Sequence, residues 1–192
     1  MWKMLLLALL LSSESHASDP RYRGPICLGS FRVDRAVSVR SLFKQLGQPA
    51  TKSAPFCFQS QDGRAFLYVD VIHVIPGRVA EVLLSDFPNC TSRPRQNTEN
   101  DLLTWKTKEG IGLGSSEEEV VEAYGRPSAE EVEDSRNYAR AIYGYHPSAK
   151  KPPEIGHKSL FYAGILRENE WCSAQFGFRD KKVSWILLSV NE

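Results

Sequence analysis

The sequence has no excess of charge of either sign. Its 24 lysine and arginine residues are balanced by 23 aspartate and glutamate residues, which gives a formal net charge of +1. A protein that binds nucleic acid or an anionic lipid surface usually carries a strong positive field. The charge balance therefore argues against a nucleic-acid partner, while the 42% share of hydrophobic residues is sufficient for a buried core.

Long hydrophobic runs are also missing. The apolar run near the N-terminus, from Met4 to Leu11, is about half of the roughly 20 residues that span a bilayer. A lysine precedes it and the small-x-small triplet Ser15-His16-Ala17 follows, as is typical of a secretory signal peptide. We therefore expect residues 1–17 to be a signal peptide, the protein to be secreted or periplasmic, and the mature chain to lack an integral membrane span.

Cysteine is scarce. The four cysteines have no metal-ligand spacing, because no two of them stand two to four residues apart, and the three histidines beyond the signal peptide are scattered. Lipidation is not expected, since Cys27 lies ten residues beyond Ala17. In an oxidising compartment the cysteines are disulfide candidates with three possible connectivities. The candidates are Cys27, Cys57, Cys90 and Cys172.

Among these connectivities, a bond between Cys57 and Cys172 would link the two halves of the chain and fix the angle between them. Cys27 would then pair with Cys90 and tie the ends of the first half. Closing loops of this kind typically contributes about 2–4 kcal/mol. We predict this pairing and leave the other two open.

Catalytic and nucleotide-binding motifs are absent from the sequence. Three glycines at positions 110, 112 and 114 do precede an amphipathic run, as in phosphate-binding loops. However, the first helical turn carries three consecutive carboxylates, Glu117 to Glu119, which would repel a phosphate. Ser116 and Glu119 have the spacing of a capping box. We therefore expect neither a cofactor nor a metal nor catalytic residues.

The sequence does contain an internal repeat. Residues 37–49 match residues 115–127 at an offset of 78, with the same apolar spacing followed by glycine and proline. In the second copy, Val120, Val121 and Tyr124 are expected to be buried against the sheet. Residues 67–85 match residues 171–189 at an offset of 104, and their alternation predicts two strands joined by a hairpin. A third strand is predicted from residues 56–58 and their counterparts 160–162.

These patterns predict an α+β fold of two tandem repeats, each a short helix packed on a three- to four-stranded antiparallel sheet. The first repeat covers residues 18–87, and the second covers residues 105–192. A polar linker (88–104) separates them, and the second repeat carries an insertion at 129–158.

The motif from Gly110 to Ser128 resembles the glycine, helix, glycine-x-proline signature of the SmpA/OmlA outer-membrane assembly lipoproteins and of the β-lactamase-inhibitor-protein (BLIP) fold. The resemblance covers most of residues 26–190. It implies a helix packed on an antiparallel sheet and, in the tandem inhibitor, one concave, aromatic-rich binding surface. Two features depart from that pattern, because the chain has no lipidated cysteine and its first repeat lacks the glycine-rich segment before the helix.

Strand alternation predicts which residues lie on the open face of the sheet. Val82 and Leu84 should face the helix, which leaves Glu81 and its counterpart Trp185 on the other side. Phe161, in the first strand of the second repeat, is also predicted to lie on the open face. In the middle strand of each repeat, the residues on the open face are ambiguous. The polar Asp70 indicates that Tyr68 is exposed, whereas Gln175 in the second repeat indicates the opposite alternation. The predicted binding residues are Tyr68, Glu81, Phe161 and Trp185. An alternative, at least equally favoured for any one aromatic residue, is that Trp171 and Trp185 lie in a second layer of the core.

The favoured interpretation is a non-enzymatic module that binds another protein, as an inhibitor or a cell-envelope assembly factor. A second hypothesis is a small hydrolase with a site in the insertion, formed by Tyr143, Tyr145, His146 and His157. A third hypothesis is a carrier protein that binds a small ligand between its two sheets. The sequence does not indicate the oligomeric state.

Overall fold

The structure, a computed structural model, describes residues 23–32, 37–47, 49, 55–71, 77–87, 101–131, 158–167 and 170–191. The predicted signal peptide lies outside these residues, as do residues 88–100 of the predicted linker and 132–157 of the predicted insertion. Within the described ranges, no helix is both long and apolar enough to cross a membrane.

Strands predominate over helices in this part of the chain. The helices are α1 (Val39–Leu46), α2 (Glu117–Tyr124) and a short 3-10 helix (Leu102–Thr104). The first five strands are β1 (Cys27–Leu28), β2 (Phe31–Arg32), β3 (Phe56–Gln59), β4 (Phe66–Val71) and β5 (Val79–Ser85). The other four are β6 (Ala129–Glu131), β7 (Lys158–Arg167), β8 (Glu170–Arg179) and β9 (Lys182–Asn191).

Seven of the strands form one antiparallel sheet in the order β3-β4-β5-β9-β8-β7-β6, and β1 pairs only with β2. The α+β class with a large antiparallel sheet is thus confirmed. The strands of the two predicted halves do not form separate sheets, because β5 pairs with β9. The last strand of each half therefore lies at the centre of the sheet.

Each α-helix begins at a serine cap and ends at a glycine. The Ser38 side chain accepts a hydrogen bond from the backbone of Ser41, while Ser116 and Glu119 form the complete capping box predicted for α2. The C-terminal caps Gly47 and Gly125 have positive φ angles of 84° and 74°. Residues other than glycine rarely adopt this backbone conformation. The glycines therefore end both helices where the sequence predicts.

The helices bury one face against the sheet. Leu42 and Leu46 of α1, and Val120 and Tyr124 of α2, belong to one core with the strands. An eight-residue helix is marginal in water, so burial of these side chains, at roughly 1.5–3 kcal/mol each, holds it in place. Val121, which the sequence predicts to be buried, is instead exposed. A one-residue step rotates its side chain by about 100° away from Val120.

The ring of Tyr124 connects α2 to the sheet. It stacks on Phe176, with ring centroids 5.6 Å apart, and meets Tyr162 edge-on at 5.8 Å. Its hydroxyl donates to the Glu109 carboxylate at 2.8 Å and lies 2.5 Å from the Thr107 hydroxyl. The loop before α2 is thereby tied to the helix and, through it, to the sheet.

The predicted disulfide pairing is wrong, because Cys27 and Cys172 are thiols. Cys57 lies on β3 and Cys172 on β8, which are four strand spacings apart in the sheet. This separation is about 19 Å, whereas bonded cysteines have Cα atoms within about 7 Å. Cys57 is disulfide-bonded, and Cys90 lies outside the described residues.

Candidate binding face

The side chains of the seven-stranded sheet alternate between two faces. One face joins the helices in the core, and we call the opposite one the second face. Three of its cross-strand rows extend over most of the strands. The central row is Cys57, Tyr68, Leu83, Leu187, Gln175 and Phe161. The polar row on one side of it is Asp70, Glu81, Ser189, Ser173 and Ala163. The tryptophan row on the other side is Phe66, Ser85, Trp185, Gly177 and Ser159.

All four predicted binding residues lie on the second face. Tyr68 packs against the cluster that contains Trp185, and its hydroxyl is close enough to Glu81 to be affected by its charge. Phe161 is in the same row as Tyr68 but four strand spacings away, or about 19 Å. The structure therefore brings three of the residues together and places Phe161 apart from them.

Trp185 is not available on the surface. Its side chain is 2% exposed, clustered with Leu83 and Phe87. The opposite residue on β8 is Gly177, and a Cβ atom added there would lie 1.8 Å from the indole. The indole thus lies flat against the β8 backbone, in space that any other residue would fill. The expectation that Trp185 is exposed is wrong for this reason.

Two buried polar side chains near Trp185 have internal partners. The Gln175 amide donates to the Ser159 hydroxyl at 2.8 Å, and the Ser85 hydroxyl donates to the Phe87 carbonyl at 2.8 Å. Such bonds offset the cost of removing polar atoms from water. The tryptophan row is therefore a closed part of the second face, and the polar row is the more accessible part.

Two carboxylates stand side by side in the polar row. Asp70 on β4 pairs directly with Glu81 on β5, and both side chains are half-buried. Directly opposed residues have Cβ atoms about 4.5–5.5 Å apart, where like charges repel. Burial, and next the charge of Asp70, raise the pKa of Glu81 above its ordinary value. Asp70 accepts a hydrogen bond from the backbone of Val71 at 2.8 Å.

Tyr68 adds an aromatic ring beside this acidic pair. Burial raises the pKa of its hydroxyl, and the negative charges of Asp70 and Glu81 raise it further. The hydroxyl is therefore protonated at any physiological pH and can donate a hydrogen bond. Together the three side chains form a half-buried anionic site with an aromatic wall.

Sequence reasoning missed two residues of the second face. Trp171 is 53% exposed and Ile165 is 37% exposed, and they pair directly between β8 and β7. The signal was present in the alternation of β8, because Trp171 has the same phase as Ser173 and Gln175. For Trp171, the sequence alone did not decide between a second-layer core position and an exposed position.

Nothing in the described ranges favours a metal site, since no group of three or more His, Cys, Asp or Glu side chains there could hold an ion. All histidines of the chain, including His146 and His157, lie outside these ranges, as do Tyr143 and Tyr145. The hypothetical hydrolase site in the insertion therefore falls on residues that the structure does not describe.

No family model matches the chain, and neither the curated proteins nor the solved structures contain a significant match. The likeness to the SmpA/OmlA and BLIP families thus depends on the sequence motif and stays a prediction.

Proposed function

We propose that the chain is a secreted or periplasmic, non-enzymatic module that binds another protein through the second face, as an inhibitor or an envelope-assembly factor. The observation that carries the proposal is the exposure of Trp171 and Ile165 as neighbours on that face. Large apolar side chains that adjoin one another at the surface favour burial by a partner, and tryptophan is enriched among the residues that dominate binding energy.

The sheet supplies a suitable area for a protein partner. Its seven strands span six spacings, or about 29 Å, which is comparable to one side of a standard protein interface. Side chains on strands are also held more rigidly than side chains on loops, so less entropy is lost on binding. Both properties favour a macromolecular partner over a small ligand.

We infer further that this surface arose by tandem duplication of a unit with one helix and three strands. The pairing between β5 and β9 supports a twofold relation between the halves. Among its five residue pairs, a shift by the predicted offset of 104 positions leaves the middle pair, Leu83 with Leu187, unchanged. The same shift converts the two pairs beside it, Val82 with Leu188 and Leu84 with Ile186, into each other.

Irregularities in the two hairpins support the same relation. The β4–β5 register shifts between Asp70 and Val71, and the β8–β9 register shifts between Gly177 and Phe178. These positions differ by 107 rather than 104, so the first hairpin carries three additional residues. The ungapped match of residues 67–85 with residues 171–189 therefore aligns β4 with β8 three residues away from their structurally equivalent positions.

Hydrogen bonds between helix and hairpin also recur. The Val79 amide donates to the Val37 carbonyl at 3.0 Å, and the Val183 amide donates to the Ser115 carbonyl at 2.8 Å. The donors differ by 104 positions and the acceptors by 78, as the two sequence offsets require. Chance similarity of two amphipathic patterns does not account for identical backbone contacts at both offsets.

The experiment is affinity capture from an envelope or culture extract with the immobilised chain, read by quantitative mass spectrometry. Trp171→Ser should lose the captured protein. Val121→Ser, which removes a 38% exposed valine from α2 on the other side of the sheet, is the matched control and should retain it. Equal capture by both variants, or no specific capture by the unmodified chain, would contradict the proposal.

A further inference from the structure

The side chains of the polar row form a path across the strands, which we call the channel. Its members beyond Glu81 are small, namely Ser189, Ser173 and Ala163, and all three are partly accessible. Larger side chains of the central row border them on one side, among them Leu187 and Phe161. Trp171 and Ile165 border Ser173 and Ala163 on the other side. A row of small side chains between two rows of large ones leaves a depression that an extended chain segment can enter.

One end of this channel is anionic and has no counter-charge from the described part of the chain. The ion pairs among described residues join Asp62 to Arg64, Asp86 to Arg179, and Lys158 to two glutamates. None of them involves Asp70 or Glu81, although both are half-buried. Buried or partly buried carboxylates are normally compensated by a cation or by several hydrogen bonds. This end is thus complementary to a positive group from outside.

The other end is apolar. Trp171 lies two strand spacings and one row from Glu81, so their Cα atoms are separated by about 12 Å. An extended polypeptide covers this distance with three to four residues, at about 3.3 Å per residue. The spacing between the anionic and apolar ends therefore matches two side chains of one short extended segment.

We propose, on the basis of the function proposed above, that the partner is a polypeptide with a lysine or arginine side chain for the Asp70–Glu81 pair. An aliphatic or aromatic side chain three to four residues away contacts Trp171 and Ile165. The cation makes charge-assisted hydrogen bonds with the two carboxylates and packs on the Tyr68 ring. The same carboxylates repel nucleic acid and acidic segments, which gives the surface its selectivity.

The test begins with a random twelve-residue peptide library displayed on phage, selected on the purified chain. Selected peptides should combine lysine or arginine with an apolar residue at the stated spacing. Synthetic copies should bind at least tenfold more weakly to the double variant Asp70→Asn, Glu81→Gln. Replacement of the peptide's arginine by citrulline should have a similar effect. Glu122→Gln removes an exposed carboxylate from α2 and should leave affinity unchanged.

The possible failures are distinguishable. Peptides that depend on Trp171 but lack a basic residue, or bind the double variant equally well, would overturn this inference and leave the proposed function standing. If no selected peptide is sensitive to Trp171→Ser, both proposals are overturned. Both carboxamide substitutions preserve side-chain shape, and the amide oxygen introduced by Asp70→Asn can still accept the hydrogen bond from Val71, so the variant should fold.

Discussion

The contact between Gly177 and Trp185 allows the sharpest test of the fold that supports the second face. We predict that Gly177→Ala destabilises the protein, although alanine normally stabilises a strand relative to glycine by about 0.5–1 kcal/mol. The added methyl would lie within 1.8–2.3 Å of three indole atoms. Atoms that are not bonded to each other do not approach this closely in proteins, so the indole must move.

The loss in the free energy of unfolding depends on how far the indole is displaced from its packed position. Forcing one additional carbon into a packed core typically costs about 1–3 kcal/mol. Complete loss of the packing of a buried tryptophan costs about 3–5 kcal/mol and sets the upper limit. Because Trp185 is 2% exposed between Leu83 and Phe87, we expect about 2–4 kcal/mol. The midpoint of urea unfolding should then fall by about 1–2 M.

The assay is urea unfolding of four proteins in a double-mutant cycle: wild type, Gly177→Ala, Trp185→Leu and the double variant. Without the indole, Gly177→Ala should cost less than about 0.5 kcal/mol, so the coupling energy should be about 1.5 kcal/mol or more. If Gly177→Ala is tolerated in the wild-type background, or equally costly in both backgrounds, the indole does not lie on Gly177.

Four further predictions follow from individual contacts. Ser116→Ala should lower the free energy of unfolding by about 1 kcal/mol, and Ser38→Ala by less, because only Ser116 is part of a capping box; equal urea midpoints for the two variants would contradict this. Tyr124→Phe should cost about 1–3 kcal/mol in the same assay, because it removes the hydrogen bond to Glu109; an unchanged midpoint would refute the contact. The raised pKa of Glu81 makes the folded state hold a proton more tightly than the unfolded state, so its contribution to stability is complete below its ordinary pKa of 4.5 and is lost as pH rises through the raised value. Glu81→Gln should therefore be more stable than wild type at neutral pH and nearly equal near pH 4 in thermal unfolding; a pH-independent difference would contradict the assignment. Alkylation of the denatured protein without reductant should label Cys27 and Cys172 but not Cys57, and in the folded protein buried Cys172 should be protected; labelling of Cys57 without reductant would count against its disulfide.

The helix ends could be predicted from the sequence because their signals are local. A serine cap, an apolar pair four residues apart and a terminal glycine lie within about ten residues, and each acts through contacts inside that segment. The same reasoning failed for Val121, because the rotation of an eight-residue helix against a sheet is set by the strands on which it packs.

The second face was predicted less completely because it depends on register between distant strands. The conflict between Tyr68 and Gln175 is absent from the structure, where both residues lie in the central row. It arose because the first hairpin is longer: seven residues separate Val71 from Val79, whereas four separate Phe178 from Val183.

The burial of Trp185 likewise depends on a glycine that lies on the neighbouring strand. Periodicity within β9 assigns the residue to the correct face but does not reveal that Gly177 provides space beside it. A local pattern therefore predicts the face on which a side chain lies better than it predicts exposure on that face.

The most direct test of the second face as a binding surface is photo-cross-linking in cells that produce the protein. A benzophenone amino acid replaces Ser173 in the polar row or, as the control, Glu122 on α2. We predict that position 173 forms a covalent adduct with one protein and that position 122 does not. An absence of adducts at position 173, or the same adducts at both positions, would contradict the claim that the second face is the binding surface.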